Sequence, residues 1–249
     1  MTINNFIIYQ SPFPKIRVGR RHDGGYIIAD ILGEQPYDFF ISGGISCDIS
    51  YEVDFLNRHN YLQSHNLLYD GSVPGLPPMS QYINPHTELE NLINHSYLSM
   101  NFRKTFMNNR MNEEYKNVFR TCENIFIKMD IEGGEYELFH PSSMTDEELN
   151  RISQITIEFH WTHHRAERMH IFERFLKNHT MIHFHANNCG KMEEYQGVPF
   201  PEVFECTFLH NKYFTSPRVR SYEGVPTVLD DPNNNTKKDY LFSANWPTN

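Results

Sequence analysis

Carboxylate and imidazole side chains recur in this sequence at the ends of apolar runs, where proton transfer or cation binding is readily built. In "FIKMDIEGGEYELF" (residues 126–139) an apolar run meets Asp130, and Glu132 and Glu135 follow around Gly133-Gly134. A carboxylate closing an otherwise apolar run needs a partner to offset its desolvation. Glu132 and Glu135 have a plainer reading, because acids in a first helical turn are stabilised by exposed amides and the helix dipole. Alternation puts Glu158 and His160 of "ITIEFHW" (155–161) on one strand face, and His183 and His185 of "MIHFHA" (181–186) on another. His160 and His185 fall near the ends of their runs, and both are expected beside Asp130. Three readings stay open for this group. An imidazole, with an unperturbed pKa of about 6.5, could take the proton of an acceptor hydroxyl. Asp130, Glu158 and His185 could instead hold a divalent cation that lowers the acceptor's pKa, their oxygen-rich set suiting Mg2+, Mn2+ or Ca2+. Or the histidines are hydrogen-bonded framework groups.

A second constellation lies upstream. In "GGISCDISYE" (43–52), Gly43 and Gly44 would let the backbone pass close to a ligand, and Asp48 or Ser50 could cap the helix that follows. Asp70 closes "HNLLYD" (65–70), near the spacing at which a carboxylate grips ribose hydroxyls in nucleotide-binding sheets. There is no GxGxxG, and a glycine pair serves equally well to make a strand-to-helix turn. Asn187 and Asn188 either contact an acceptor or make the turn after "FHA". Glu205, inside "VFECTFL", calls for a cationic or hydrogen-bonding partner, with Arg17 and Arg20 as candidates. "WTHHRAERMH" (161–170) reads as a solvated helix start, and Tyr136 and Phe139 as core.

The elements that must position these residues are six short apolar runs: 37–43, 65–70, 125–131, 155–161, 181–186 and 203–209. Helical patterns fall at 50–60, 87–95, 112–121, 133–140, 145–152 and 165–178. Strands alternating with helices predict a doubly wound α/β fold, mostly parallel, with helices on both faces. Ligands of such sheets bind beyond the carboxyl ends of the strands. We expect one domain over 1–249: a β-hairpin cap at 14–32 turning at Asp23-Gly24-Gly25, a core at 33–213, and a tail at 214–249. The tail reads as loop or partly disordered until "YLFSANW", and 71–86, with its prolines, as a loop over the sheet edge.

Charge narrows the partners. The net charge is −9 and the pI about 5.8, and the dense basic stretch "KIRVGRRH" (15–22) is short, which argues against a nucleic-acid partner. Four widely spaced cysteines suggest neither a zinc knuckle nor a disulfide framework, and suit a reducing cytoplasm. The N-terminus has no signal-peptide pattern, and no window approaches the roughly 18 apolar residues of a membrane span.

Taken together, these stretches resemble the FkbM family of S-adenosylmethionine-dependent methyltransferases. "FIKMDIEGGEYELF" is similar to the family's Met-Asp-Ile-Glu-Gly-(Ala/Gly)-Glu signature. "RVGRRHDGGYIIAD" and "GGISCDISYE" resemble elements of the branch that includes methyltransferase-like 24 proteins, and "ITIEFH", "IHFHANN" and "PEVFECTFL" its later strands. The matches span about residues 14–212. Ser46 departs from the pattern, standing where the family's loop has its second glycine. The resemblance implies a seven-stranded, Rossmann-like class I sheet whose last strand is antiparallel. It implies S-adenosylmethionine held by Gly43, Gly44, Ser46 and Asp48 around the methionine part, by Asp70 and Gly71 at the ribose, and by Asp130. The catalytic candidates are then Asp130, Glu158, His160 and His185. The acceptor, a small hydroxylated molecule such as a sugar or glycan precursor, would meet Asn187, Asn188, Arg20 and Glu132, with the hairpin folded over the mouth.

Overall fold

The computed structural model describes residues 3–78, 96–107 and 113–247. An antiparallel hairpin comes first, β1 (Lys15–Val18) and β2 (Tyr26–Ala29). The central sheet follows. Its strands are β3 (Phe39–Gly43), β4 (Asn66–Tyr69), β5 (Phe102–Arg103), β6 (Ile125–Met129), β7 (Ile152–His160), β8 (His179–Ala186) and β11 (Val203–His210). A second antiparallel hairpin, β9 (Met192–Tyr195) and β10 (Val198–Pro201), sits between β8 and β11. The helices are α1 (Ser50–Arg58), α2 (Glu113–Thr121), α3 (Glu135–Leu138), α4 (Asp146–Asn150) and α5 (Ala166–Asn178).

The sheet order is β5-β4-β3-β6-β7-β11-β8. Among the described residues only β11, the last strand in chain order, runs antiparallel to its neighbours, β7 and β8. The protein is therefore α/β, with a mostly parallel seven-stranded sheet and a separate hairpin. Six of the strands grow from the six apolar runs of the sequence. The seventh, β5, is a two-residue edge strand too short to leave a pattern.

Pleating sorts the two faces of the sheet. Ile155, Ile157 and Phe159 of β7, with Phe204 and Phe208 of β11, enter an apolar layer completed by Phe119 of α2, Leu149 of α4, and Phe172 and Phe175 of α5. The other face is mixed. At its β3–β6 end, Phe40 and Phe126 each lie 4.4 Å from the Phe55 ring of α1. Further across it carries Gln154, Thr156, Glu158, Glu205, Thr207, His183 and His185, all buried, and buried polar groups require partners. The hairpin and the tail provide them. Gln154 accepts from the Ala29 amide at 2.7 Å and donates to its carbonyl at 3.0 Å, and the Thr207 hydroxyl donates to the Ile27 carbonyl. Asp230 meets His183 at 2.9 Å, Asp239 meets His185 at 3.0 Å, and Asn233 donates to Glu205 at 2.6 Å. The tail thus has little regular structure, as its composition suggests, yet its polar side chains strap it to the sheet.

Helix ends follow local chemistry. Thr145 and Glu148 form a capping box that starts α4. The helix expected over 133–140 shortens to Glu135–Leu138 because Glu132 and Gly133 take left-handed backbone angles, φ 55° and 94°. The helix expected at 87–95 and residues 79–86 of the proline-rich loop lie outside the described residues. No helix among the described residues is long and apolar enough to cross a membrane.

Candidate functional site

Strand order reverses between β3 and β6, and the crevice beyond their carboxyl ends is where an open α/β sheet binds ligands. Gly44, just past β3, has φ +78°, and a Cβ built there would stand 1.5 Å from the Asp130 carbonyl oxygen. The two chains could not approach so closely with any other residue. Ser46 also lies in the left-handed region, at φ 52°, a conformation that favours glycine; an L side chain tolerates it at a cost of roughly 1–2 kcal/mol.

Asp70 reaches this turn from β4. Its Oδ2 accepts from the amides of Ile45 (2.9 Å) and Ser46 (2.7 Å), and its Oδ1 from the Ser72 amide and hydroxyl (2.6 Å each). Burial opposes the charge, but bonds from Ser72, Ser46 and Ile45 outweigh it and hold the carboxyl below the usual range. A carboxylate has about four lone-pair sites, so these four donors fill it. Two side chains lie over the neighbouring glycines: Met107 over Gly43, and Phe106 over Gly71.

The acids beyond β6 and β7 converge on one imidazole. His160, 3% exposed, has Nε2 at 3.2 Å from Glu158, 3.3 Å from Glu132 and 4.0 Å from Asp130, while Nδ1 is 3.3 Å from Glu135. Glu135 also accepts from the backbone amides of His160 and Gly133, both at 2.9 Å. Burial disfavours charge on His160, yet Glu135 and Glu158 prevail and push its pKa up to about 11. Glu158 is pushed up to about 8 by burial and by the charge of Asp130, against the pull of His160. Burial raises Asp130 as well, against Lys128 and His160. Tyr26 of the hairpin donates to Asp130 Oδ2 at 3.3 Å, but Oδ1 of Asp130 is buried and has no hydrogen-bond partner among the described residues.

Asp130, Glu158, His160 and Glu132 are thus brought together, and His185 is not. The expectation that the strand of His185 reaches the crevice fails because β11 lies between β7 and β8. Glu158, Glu205 and His185 form one row across the three strands, and both ring nitrogens of His185 are engaged, Nδ1 at 3.5 Å from Glu205 and Nε2 at 3.0 Å from Asp239. The cation set of Asp130, Glu158 and His185 is therefore not assembled. Asp130, Glu132 and His160 do offer ligand atoms within 4.8 Å of one another. Glu205 pairs with His185 and Asn233 rather than with Arg17 or Arg20.

Other expected contacts turn inward. Asp48 binds Arg20 at 2.7 Å and accepts from the Ser50 amide at 2.9 Å, tying the hairpin loop to the start of α1. Asn187 donates to Glu158 at 2.9 Å, so it orients that carboxyl from the side. Asn188 donates to the Asn234 carbonyl at 3.0 Å and accepts from its amide at 2.7 Å, anchoring the tail.

Three contributors escaped the sequence reading in whole or in part. Lys128, 5% exposed, donates to the Gly44 carbonyl and lies 3.9 Å from Glu52, which is fully buried and bonded to Ser42. Lysine inside the apolar run "IFIKM" was the available signal. Tyr26 left none, because only the fold brings the hairpin onto Asp130. Glu135 was legible as a capping acid, not as the group that holds His160. The chain matches no family model and no curated protein, so its likeness to the FkbM family stands on the motifs quoted above.

Proposed function

We propose that the chain is an S-adenosylmethionine-dependent O-methyltransferase acting on a hydroxyl of a small acceptor, a sugar or glycan precursor in the leading case. The observation that carries this reading is the sheet. Numbered along the chain, its seven strands run 3-2-1-4-5-7-6 with the last antiparallel, and the first five repeat the order of dinucleotide-binding sheets. The glycine turn and Asp130 stand at the switch point of that order.

The residues there suit the cofactor, which supplies an electrophilic methyl group when bound. Gly44 offers backbone without a side chain, and Asp130 Oδ1 is a buried acceptor with no donor among the described residues. Gly43, Gly44 and Asp130 would hold the methionine part. Asp70 shapes this cradle by fixing the Ile45 and Ser46 amides, and its filled lone pairs leave the ribose to other groups while that loop is closed. Methyl transfer to a hydroxyl also requires loss of a proton. His160 is held protonated, so the proton acceptor is the carboxyl pair Asp130 and Glu158: Glu158 is pushed up to about 8, and burial raises Asp130 above its ordinary value. A divalent cation on Asp130, Glu132 and His160 is the alternative, and it requires His160 to give up its proton.

The test is transfer of isotope-labelled methyl from S-adenosylmethionine to a panel of free and nucleotide-linked sugars. Labelled product with the wild type, and none with Asp130→Asn, supports the reading; failure to bind S-adenosylhomocysteine in a calorimeter removes it. A second reading, a nucleoside-binding or interaction protein without turnover, is favoured by Met107 and Phe106 lying on Gly43 and Gly71. It predicts S-adenosylhomocysteine binding with no methylated product from any acceptor.

A further inference from the structure

A different cluster joins the turn after β7 to the hairpin β9–β10. Nε2 of His163 and Nε2 of His164 each lie 2.9 Å from the same oxygen, Oε2 of Glu193. The three atoms fall within 4.8 Å of one another. The histidines sit in the single-turn helix Thr162–His164 directly after β7, and Glu193 lies on β9. The sequence alone suggested a solvated helix start here, because Glu193 is some thirty residues away along the chain.

The packing fixes the direction of one ligand. The His163 side chain is 5% exposed, with its ring centroid 5.1 Å from Phe200 and 5.9 Å from Tyr195 of the hairpin. Its Nδ1 is buried with no hydrogen-bond partner among the described residues, so Nε2 is the atom through which it can act. His164 and Glu193 are 36% and 39% exposed, which leaves one side of the group open to water. Two imidazole nitrogens and a carboxylate oxygen with an open fourth position are a donor set that zinc accepts. In a tetrahedral site with bonds of about 2.0–2.1 Å the ligand atoms stand roughly 3.4 Å apart, so each N···O separation has to widen by roughly 0.5 Å. His164, on the turn, and Glu193, on β9, are exposed enough to move that far while His163 stays packed.

We propose that His163, His164 and Glu193 form a zinc-binding site, with water as fourth ligand, that clamps the β9–β10 hairpin to the end of β7. The site uses none of the residues of the crevice cluster and stands whether or not the chain transfers methyl groups. It is tested by titrating Zn2+ into chelator-stripped protein, with bound metal counted by mass spectrometry and affinity read by calorimetry. The expected result is one zinc equivalent that His164→Gln and Glu193→Gln lose and Glu132→Gln, in the crevice cluster, keeps. The affinity loss should exceed the roughly 10–100-fold caused by removing a supporting group around a metal. Zinc should also raise the melting temperature of the wild type, and Co2+ in its place should give the strong visible absorption of a four-coordinate site. Both substitutions are at exposed side chains, and unchanged circular dichroism verifies that the variants fold. Wild-type protein that retains no zinc, or zinc bound equally by wild type, His164→Gln and Glu193→Gln, overturns the proposal.

Discussion

Asp70→Asn probes whether this acid builds the loop or grips a ligand. The carboxylate accepts four hydrogen bonds and its residue is 7% exposed. The amide of asparagine is nearly the same shape but presents two donors on one side. In either orientation those donors face backbone N–H groups, of Ile45 and Ser46 or of Ser72. Charge-assisted bonds are worth about 1.5–3 kcal/mol each, so losing one or two of them, with some relief from loop movement, gives a destabilisation of about 2–4 kcal/mol. The pH dependence has a definite sign. Asp70 is held below its ordinary value of 3.8, so its contribution is present above the unfolded value and disappears as pH falls through the folded one. The gap between wild type and Asp70→Asn should therefore be constant near neutrality and shrink in acid. Urea unfolding monitored by circular dichroism, at pH 7 and at a series of acidic pH values, measures both. A difference below about 0.5 kcal/mol at pH 7, the range of ordinary surface substitutions, would refute the loop-building role.

Two further substitutions address the crevice. Gly44→Ala forces a left-handed alanine, costing about 1–2 kcal/mol, against a carbonyl 1.5 Å from the new Cβ. It should destabilise the protein by at least about 2 kcal/mol in urea and abolish calorimetric binding of S-adenosylhomocysteine. His160→Gln removes the cation among four acids; because the folded pKa is pushed up to about 11 from 6.5, the wild type's advantage should be full below pH 6.5 and decline as pH rises towards 11. Melting temperatures of both proteins across that range show this, and a gap that widens with pH would contradict it.

Much of the fold was legible. The six apolar runs became strands because each is β-branched or aromatic and ends in a turn, and the helical pattern read at 145–152 begins at the capping box of Thr145 and Glu148. The hairpin β9–β10 was missed because "MEEYQGVPFP" mixes glutamates and prolines with its apolar residues, although Gln196 and Gly197, with φ 53° and 78°, make its turn. Strand order was the deeper gap. Nothing local tells β11 to insert between β7 and β8, and that insertion carries His185 away from Asp130 and gives it to Glu205 and Asp239. The pairing of Asp130, Glu158 and His160 followed from alternation and adjacent strands, which sequence does encode. The protonation of His160 did not, since it depends on Glu135, at the start of α3, reaching the imidazole Nδ1.

A sulfonium-nucleoside site in the crevice between β3 and β6 is the central proposal. A crystal structure of the chain soaked with S-adenosylhomocysteine tests that directly. The account predicts density against Gly43 and Gly44, with the ligand's amino group on Asp130 Oδ1 and Met107 displaced from Gly43. Density elsewhere on the molecule, or a crevice unchanged at saturating ligand, would contradict it.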